Sequence, residues 1–414
     1  MKKIFLCLLL VFVVAYCVNN NENLSSQETV CAKCNSEIER LETETVTSEY
    51  CFSQNSEIDL AKTAKSAYIT DASGKVEVYS KNSSERLTIA SMTKIMLLNL
   101  VFDAVDKGEL SLDEEITVSE RANSMGGSQV FLQANKNYKA SDLIKSVIVA
   151  SANDASVALA ERLYGSEEAC VEKMNSLAKE WNLSDTLFSN CTGLPKPTQY
   201  SSAKDVAVML SKLISHDEYF KFSNIWLDEL THPDGQKTVL TNTNKLVKFY
   251  SGCDGGKTGF TSESLYCLAC TAKRDGTRII AVVIGEPSSK ERFSDVTSML
   301  DYTFANFKNQ QIVDSSVILS ENVKISGGKE NNVSVRAKEN FSAFTKKGEK
   351  ADYTYEIKQF DNLRAPIKEG QTVGEVVVYN GGIEVQKIDL VSTKTVAKRN
   401  LFDTIKDIFD GWRI

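Results

Sequence analysis

The apolar positions of this chain change their spacing several times, and each change marks an element. Ile4 to Ala15 is an uncharged apolar run behind Met1-Lys2-Lys3 and ahead of the polar stretch VNNNENLSS. That layout is a secretory signal over 1–18, too short to span a bilayer, with cleavage expected near Cys17 or Val18. VAYC loosely matches a lipoprotein box, but Tyr16 stands where a small residue belongs, so ordinary cleavage is the expectation over lipidation of Cys17. Residues 19–60 are polar, rich in Ser, Glu, Asn and Thr and without periodicity, which reads as a flexible linker.

Order begins in AKSAYITDASGKVEVYSKN, where alternating apolar residues flank Ala72-Ser73-Gly74-Lys75 and predict a β-hairpin. MTKIMLLNLVFDAVDKG has apolar residues three and four apart, which predicts a helix from about Ser91 to Gly108. The pattern stays mainly helical from about Asp113 to Asn224. There ASDLIKSVIVASANDASVALAERLYG reads as two helices broken near Ser151-Ala152-Asn153-Asp154, and SSAKDVAVMLSKLI as an amphipathic helix with serine at its start. LYCLACTAKRDGTRIIAVVIG follows as a strand pair turning at Arg274-Asp275-Gly276-Thr277, and SSKERFSDVTSMLDYTFANF as a closing helix. Strands, helices, strands and a last helix predict an α/β (α+β) domain over 61–308, with helices packed on an antiparallel sheet. Beyond Lys308, short alternating runs with Gly and Asn turns predict a small all-β sandwich over 309–393. In 397–414, Leu401, Phe402, Ile405, Ile408, Phe409 and Trp412 share one helical face, and Asp403, Lys406, Asp407 and Asp410 the other. An amphipathic helix of this kind lies in a membrane interface by apolar insertion; the alternative is packing on the sandwich.

At 414 residues the chain exceeds one ordinary core, and its net charge of −7 without a basic block argues against a nucleic-acid partner. Ten cysteines sit in a chain whose export permits disulfides. Cys31 and Cys34 in CAKC have no second C-x-x-C, and His216 and His232 show no ligand spacing. The pair therefore reads as a local disulfide or free thiols, and neither a metal nor a cofactor is expected. Cys191, Cys253, Cys267 and Cys270 fall in apolar segments and read as small buried hydrophobes.

Three short stretches carry candidate chemistry. Ser91 precedes Lys94 by three residues at a helix start, so the two side chains share a face. A serine is a weak nucleophile without a base, and a lysine serves as one when burial or a neighbouring cation lowers its pKa. Alone this spacing is common, and a capping serine beside a solvated lysine would explain it. Ser151 and Asn153 in SANDAS stand at a helix break, and Lys257, Thr258 and Gly259 in GGKTGFT at the start of a strand. An edge strand there binds an extended peptide through its main chain. The ordered trio S-x-x-K, S-x-N, K-T-G is the signature of penicillin-binding proteins and class A β-lactamases.

On these motifs, and on stretches such as GGSQVFLQANKNYKASDLIKSVIVASANDASVALAE and LRAPIKEGQTVGEVVVYNGG, the chain from about Ser66 onward resembles low-molecular-weight penicillin-binding proteins. These are serine-type D-alanyl-D-alanine carboxypeptidases that trim peptidoglycan stem peptides. The resemblance implies Ser91 as acylated nucleophile, Lys94 as general base, Ser151 as proton relay and Asn153 as holder of substrate or of Lys94. It implies Lys257 as a catalytic residue that sets the site's electrostatics and, with Thr258, binds the substrate carboxylate, Gly259 and Thr261 as substrate-binding residues of the same strand, the N–H groups of Ser91 and Phe260 as oxyanion hole, and Arg292 as an aid to carboxylate recognition. Its partners would be pentapeptide stems, with β-lactams as covalent inhibitors, at the outer face of the cytoplasmic membrane. The chain departs from the family pattern in Ile89, where PASMTK is common, and in Ser264-Leu265, where an Ala-Gly pair is usual. An endopeptidase acting on cross-links shares the same residues. A class A β-lactamase would need an E-x-x-L-N that is absent after the second motif, and a non-catalytic penicillin-binding module would not need the whole trio.

Overall fold

The computed structural model describes residues 50–51, 58–74, 76–349 and 352–400. The expected signal, almost all of the linker, the CAKC pair and residues 401–414 of the terminal helix lie outside the described residues. The first strands are β1 (Tyr50–Cys51), β2 (Ser66–Asp71) and β3 (Val76–Lys81). Two small hairpins follow, β4 (Glu115–Thr117) with β5 (Asn137–Lys139), and β6 (Leu227–Thr231) with β7 (Lys237–Thr241). Then come β8 (Cys253–Thr261), β9 (Leu265–Arg274) and β10 (Thr277–Glu286). The main sheet runs β1-β3-β2-β10-β9-β8, with β1 parallel to β3 and every other pair antiparallel. Strands distant in sequence thus become neighbours, and β8 is left at an edge.

Both faces of this sheet are covered, which is why β9 and β10 read as nearly unbroken apolar runs. Ile280, Val282 and Ile284 face the helical core, while Ile279, Ala281 and Val283 face the other layer, as strand alternation requires. The helical core is built from α1 (Lys94–Asp106), α2 (Ala140–Val149), α3 (Asn153–Tyr164), α4 (Glu167–Glu180) and α5 (Ala203–Leu213); α6 (Ser289–Asn306) covers the second face. Ser166, Ser202 and Ser288 cap α4, α5 and α6 by accepting from the N–H three residues on, each a contribution of about 1 kcal/mol. The predicted turns form for local reasons. The Asp71 carboxylate accepts from Ser73 N and Val76 N at 3.1 and 2.9 Å. Asp275 and Gly276 both take positive φ, 48° and 74°, the two-residue turn whose twist matches the strands.

Helix α6 passes into β11 (Phe307–Val313) with no residue between them. The remaining strands are β12 (Ser320–Lys324), β13 (Asn332–Ala337), β14 (Phe341–Lys346), β15 (Tyr353–Gln359), β16 (Thr372–Asn380) and β17 (Ile383–Ser392). β11 pairs with β14, and the other five form a sheet in the order β12-β13-β17-β16-β15. Val333, Val335, Val376, Val378, Ile388 and Leu390 fill the core between them.

Candidate active site

Ser91 does not cap a regular helix. It lies in a 3-10 turn, Ala90–Thr93, and α1 begins only at Lys94; no side chain caps either start. The turn is bent by Ala90 at φ 46° and is packed from two sides by glycines. A Cβ on Gly259 would sit 2.5 Å from the Ile89 carbonyl oxygen and 3.4 Å from Ser91 N, and one on Gly193 would overlap the Ala90 carbonyl. Only residues without side chains let strand β8 and the 193 turn close on the serine backbone.

Lys94 is fully buried, and its Nζ lies 3.1 Å from Ser91 Oγ, 2.7 Å from Asn153 Oδ1 and 2.5 Å from the Thr192 carbonyl. Burial lowers its pKa to about 7, against the opposing influence of Cys191 and Asp154. The contact set explains what a neutral amine does here. Its two N–H groups go to Asn153 Oδ1 and Thr192 O, which only accept, so the lone pair is left facing the Ser91 hydroxyl. That is the arrangement of a base on its nucleophile.

Ser151 and Asn153 come from the break between α2 and α3. Ser151 takes φ 62°, and its buried hydroxyl has no hydrogen-bond partner among the described residues. Asn153 donates Nδ2–H to Gly126 O and its backbone N–H to Ser128 O, both at 2.7 Å, so its amide oxygen is fixed on Lys94. The next residue, Asp154, accepts from Val130 N and Leu132 N at 3.1 Å, which holds the intervening Phe131 at φ 61° with its ring exposed.

The K-T-G residues lie inside β8, not at its start as the sequence pattern implied. Lys257 is buried, and burial, then the charges of Lys94 and Arg292, hold its ammonium well below the ordinary lysine pKa. Thr258 Oγ1 donates to Thr243 Oγ1 at 2.8 Å. Phe260 is exposed, its ring 4.4 Å from that of Tyr266 across the hairpin. Thr261 closes the hairpin with Ser264, N–H to Oγ at 2.9 Å. Leu265 takes φ 56°, so the usual glycine at this position supplies a left-handed conformation that this chain imposes on leucine. Arg292 is buried behind the strand; its Nη1 donates to the carbonyls of Gly259 and Cys267 at 3.3 and 3.2 Å, and its Nη2 to Ser289 Oγ at 3.3 Å.

Sequence reasoning did not single out the Thr192 carbonyl that grips Lys94, nor the Asn190 side chain that shapes its turn by accepting from Thr192 N and Gly193 N at 3.2 and 2.7 Å. The asparagine–glycine spacing in NCTG is the only local signal of that turn. Tyr219 was missed too; its hydroxyl accepts from Gly256 N at 2.9 Å and supports β8 from behind.

A family model described as D-alanyl-D-alanine carboxypeptidase matches residues 53–288, and one described as Penicillin-binding protein 5, C-terminal domain, matches residues 307–398. The D-alanyl-D-alanine carboxypeptidase DacF of Bacillus subtilis (strain 168) is 41% identical over 356 residues, 86% of this chain and 91% of that protein. The crystal structure of penicillin binding protein 5 from Haemophilus influenzae superposes with a TM-score of 0.63 at 30% identity, covering 81% of this chain and 98% of that one. Penicillin-Binding Protein D2 from Listeria monocytogenes, in its ampicillin-bound form, superposes with a TM-score of 0.52 at 32% identity, over 58% of this chain and 98% of that one. The fold is thus that of the penicillin-binding proteins, and within that class the chain belongs to the serine-type D-alanyl-D-alanine carboxypeptidase family.

Proposed function

We propose that this chain removes the terminal D-alanine of peptidoglycan stem peptides through an acyl-enzyme on Ser91. The observation that carries the reading is the buried Lys94 amine, placed between two pure acceptors and the Ser91 hydroxyl. Ser91 Oγ attacks the carbonyl carbon of the penultimate residue as its proton passes to Lys94 Nζ. The N–H groups of Ser91 and Phe260 receive the oxyanion, the kind of preorganised donor pair that typically supplies the largest electrostatic share of the rate. Ser151, whose hydroxyl is unpartnered among the described residues, hands its proton to the leaving amine and is reprotonated by the Lys94 ammonium, so D-alanine departs and Lys94 returns to the neutral amine. Water then cleaves the ester, with Lys94 again as base. Among the described residues Lys257 has no carboxylate partner in its buried place, so an incoming C-terminal carboxylate supplies the counter-charge that favours its ammonium, with Thr258 beside it. A β-lactam acylates Ser91 by the same attack, but its leaving nitrogen stays tethered.

The reading places the protein outside the cytoplasmic membrane, exported by 1–18 and held on the outer face by the helix of 397–414. Among the described residues no helix is long and apolar enough to cross a membrane. The deciding experiment is release of free D-alanine from a pentapeptide stem, with and without penicillin. Penicillin-sensitive release with a long-lived adduct on Ser91 is expected. Preferential cleavage of a cross-linked dimer would move the assignment to an endopeptidase, and rapid penicillin turnover to a β-lactamase. Removing residues 397–414 is expected to free the protein from membranes while leaving turnover of a soluble stem peptide intact.

A further inference from the structure

Two thiols meet at the start of the same edge strand that carries Lys257. Cys253 Sγ and Cys270 Sγ lie 3.4 Å apart, and both residues are buried. The register pairs Cys253 with Ala272 and Gly256 with Cys270, with a bulge between Cys253 and Gly255. The bulge makes the two cysteines diagonal neighbours on one face, where both enter the apolar layer beneath α6. Asp254 turns out to Arg278, Oδ1 and Oδ2 accepting at 2.8 and 2.7 Å, and Gly256 N leaves the ladder for the Tyr219 hydroxyl at 2.9 Å. Two of the other buried thiols are placed differently. Cys267, an odd number of residues before Cys270, faces the opposite layer with Sγ on Ser264 O at 3.4 Å, and Cys191 Sγ lies on Glu167 Oε1 at 3.5 Å.

We propose that Cys253 and Cys270 are a modification site, becoming a disulfide as the chain folds in an oxidising compartment and bracing β8 to β9 at the bulge. The sulfurs must close from 3.4 Å to about 2.05 Å, a movement of roughly 1.4 Å. One cysteine thiolate attacks a sulfur of a donor disulfide, displacing the first donor thiol and leaving a mixed disulfide. The second cysteine thiolate attacks the protein sulfur of that intermediate, forming the Cys253–Cys270 bond and expelling the second donor thiol. The two cysteines lose two electrons, the donor gains them, and the two cysteine protons end on the two released thiols. The neighbouring Cys253 sulfur and then burial push the Cys270 thiol well above its ordinary pKa, so the reaction belongs to folding and not to the finished protein.

The test refolds the full chain in a mixture of reduced and oxidised glutathione and, in parallel, in dithiothreitol, with penicillin acylation confirming the native fold in each. Alkylation followed by digestion without reduction then maps the cysteines. In the glutathione sample the expected results are a Cys253–Cys270 linked peptide, loss of alkylation at both positions and a higher unfolding midpoint than in dithiothreitol. Full alkylation of both residues in acylation-competent protein overturns the proposal, and so does a link from either one to a third cysteine. The double variant Cys253→Ser, Cys270→Ser checks the brace separately. The part of the midpoint shift due to this pair should vanish in it, and an undiminished shift overturns the proposed brace. Should refolding fail, chain recovered natively from an exporting host is mapped in the same way, with the same two outcomes deciding.

Discussion

Strands β8 and β16 are both nine residues long, yet they are held by opposite means. β16 lies between β15 and β17 and fixes itself with its own apolar side chains, Val373, Val376, Val377 and Val378 all being buried. β8 is an edge strand with three glycines, and it buries a lysine and a threonine. It is held from outside, by the Tyr219 hydroxyl on Gly256 N, the Asn244 amide on Gly255 O, the Ser223 hydroxyl on Asp254 O and the Arg292 guanidinium on Gly259 O. A strand that packs itself has no surface to give a substrate. A strand braced by its surroundings keeps one edge, and two polar side chains, available for chemistry.

The contrast breaks if damage to β8 and its facing turn acts on stability and damage to β16 acts on rate. The largest effect is expected from Ser91→Ala: complete loss of penicillin acylation, read by intact mass, with the unfolding midpoint nearly unchanged. Lys94→Ala should slow acylation by about 10²–10⁴-fold, the range for a lost general base. The same lysine fixes the pH dependence. With its pKa lowered to about 7, the amine is neutral above that value, so wild-type acylation should climb as pH rises through about 7. Below it the rate should fall roughly tenfold per unit. A profile flat from pH 5 to 9 would remove Lys94 from the base role. Gly259→Ala drives a methyl into the Ile89 carbonyl and should cost roughly 10²-fold in acylation by displacing the strand from the serine. Val376→Ala should do the reverse, lowering stability by roughly 1–3 kcal/mol in a denaturant titration while the acylation rate per folded molecule stays constant. The smallest change is expected at Leu265→Gly. Relief of the left-handed leucine and the added freedom of the unfolded glycine nearly cancel, leaving stability within about 1 kcal/mol.

Much of this was legible because it is local. Alternating runs gave β2 and β3, two apolar runs about a turn gave β9 and β10, serine at the start of a helical run marked the cap at Ser202, and the first two motifs held Ser91, Lys94 and Asn153, which the fold brings into contact. What was not legible depends on pairs far apart in the chain. The Thr192 carbonyl that fixes Lys94 is 98 residues away, and nothing in a window around either residue announces the meeting. The 3-10 turn at Ser91 is likewise imposed from a distance, since Gly193 and Gly259 decide how tightly the chain passes over it. Arg292 was read as an aid to carboxylate recognition; its burial and its bonds to two strand carbonyls and Ser289 Oγ came only with the fold. The bulge that turns Cys253 toward Cys270 could not be seen either, because a one-residue slip reverses which side of a strand a side chain takes.

The junction at Asn306 and Phe307 sets a working height. Helix passes to strand without a hinge, Lys347 N–H and Nζ close on the carbonyls of Asn306 and Phe304 at 2.6 and 2.7 Å, and Asn309 N–H reaches Thr277 Oγ1 at 3.0 Å. The β-rich end is therefore a pedestal and not a pendant. A surface that held that end, as proposed above, would also fix how far away the cleft stands and which way it faces, so geometry would choose the layer within reach before any binding began.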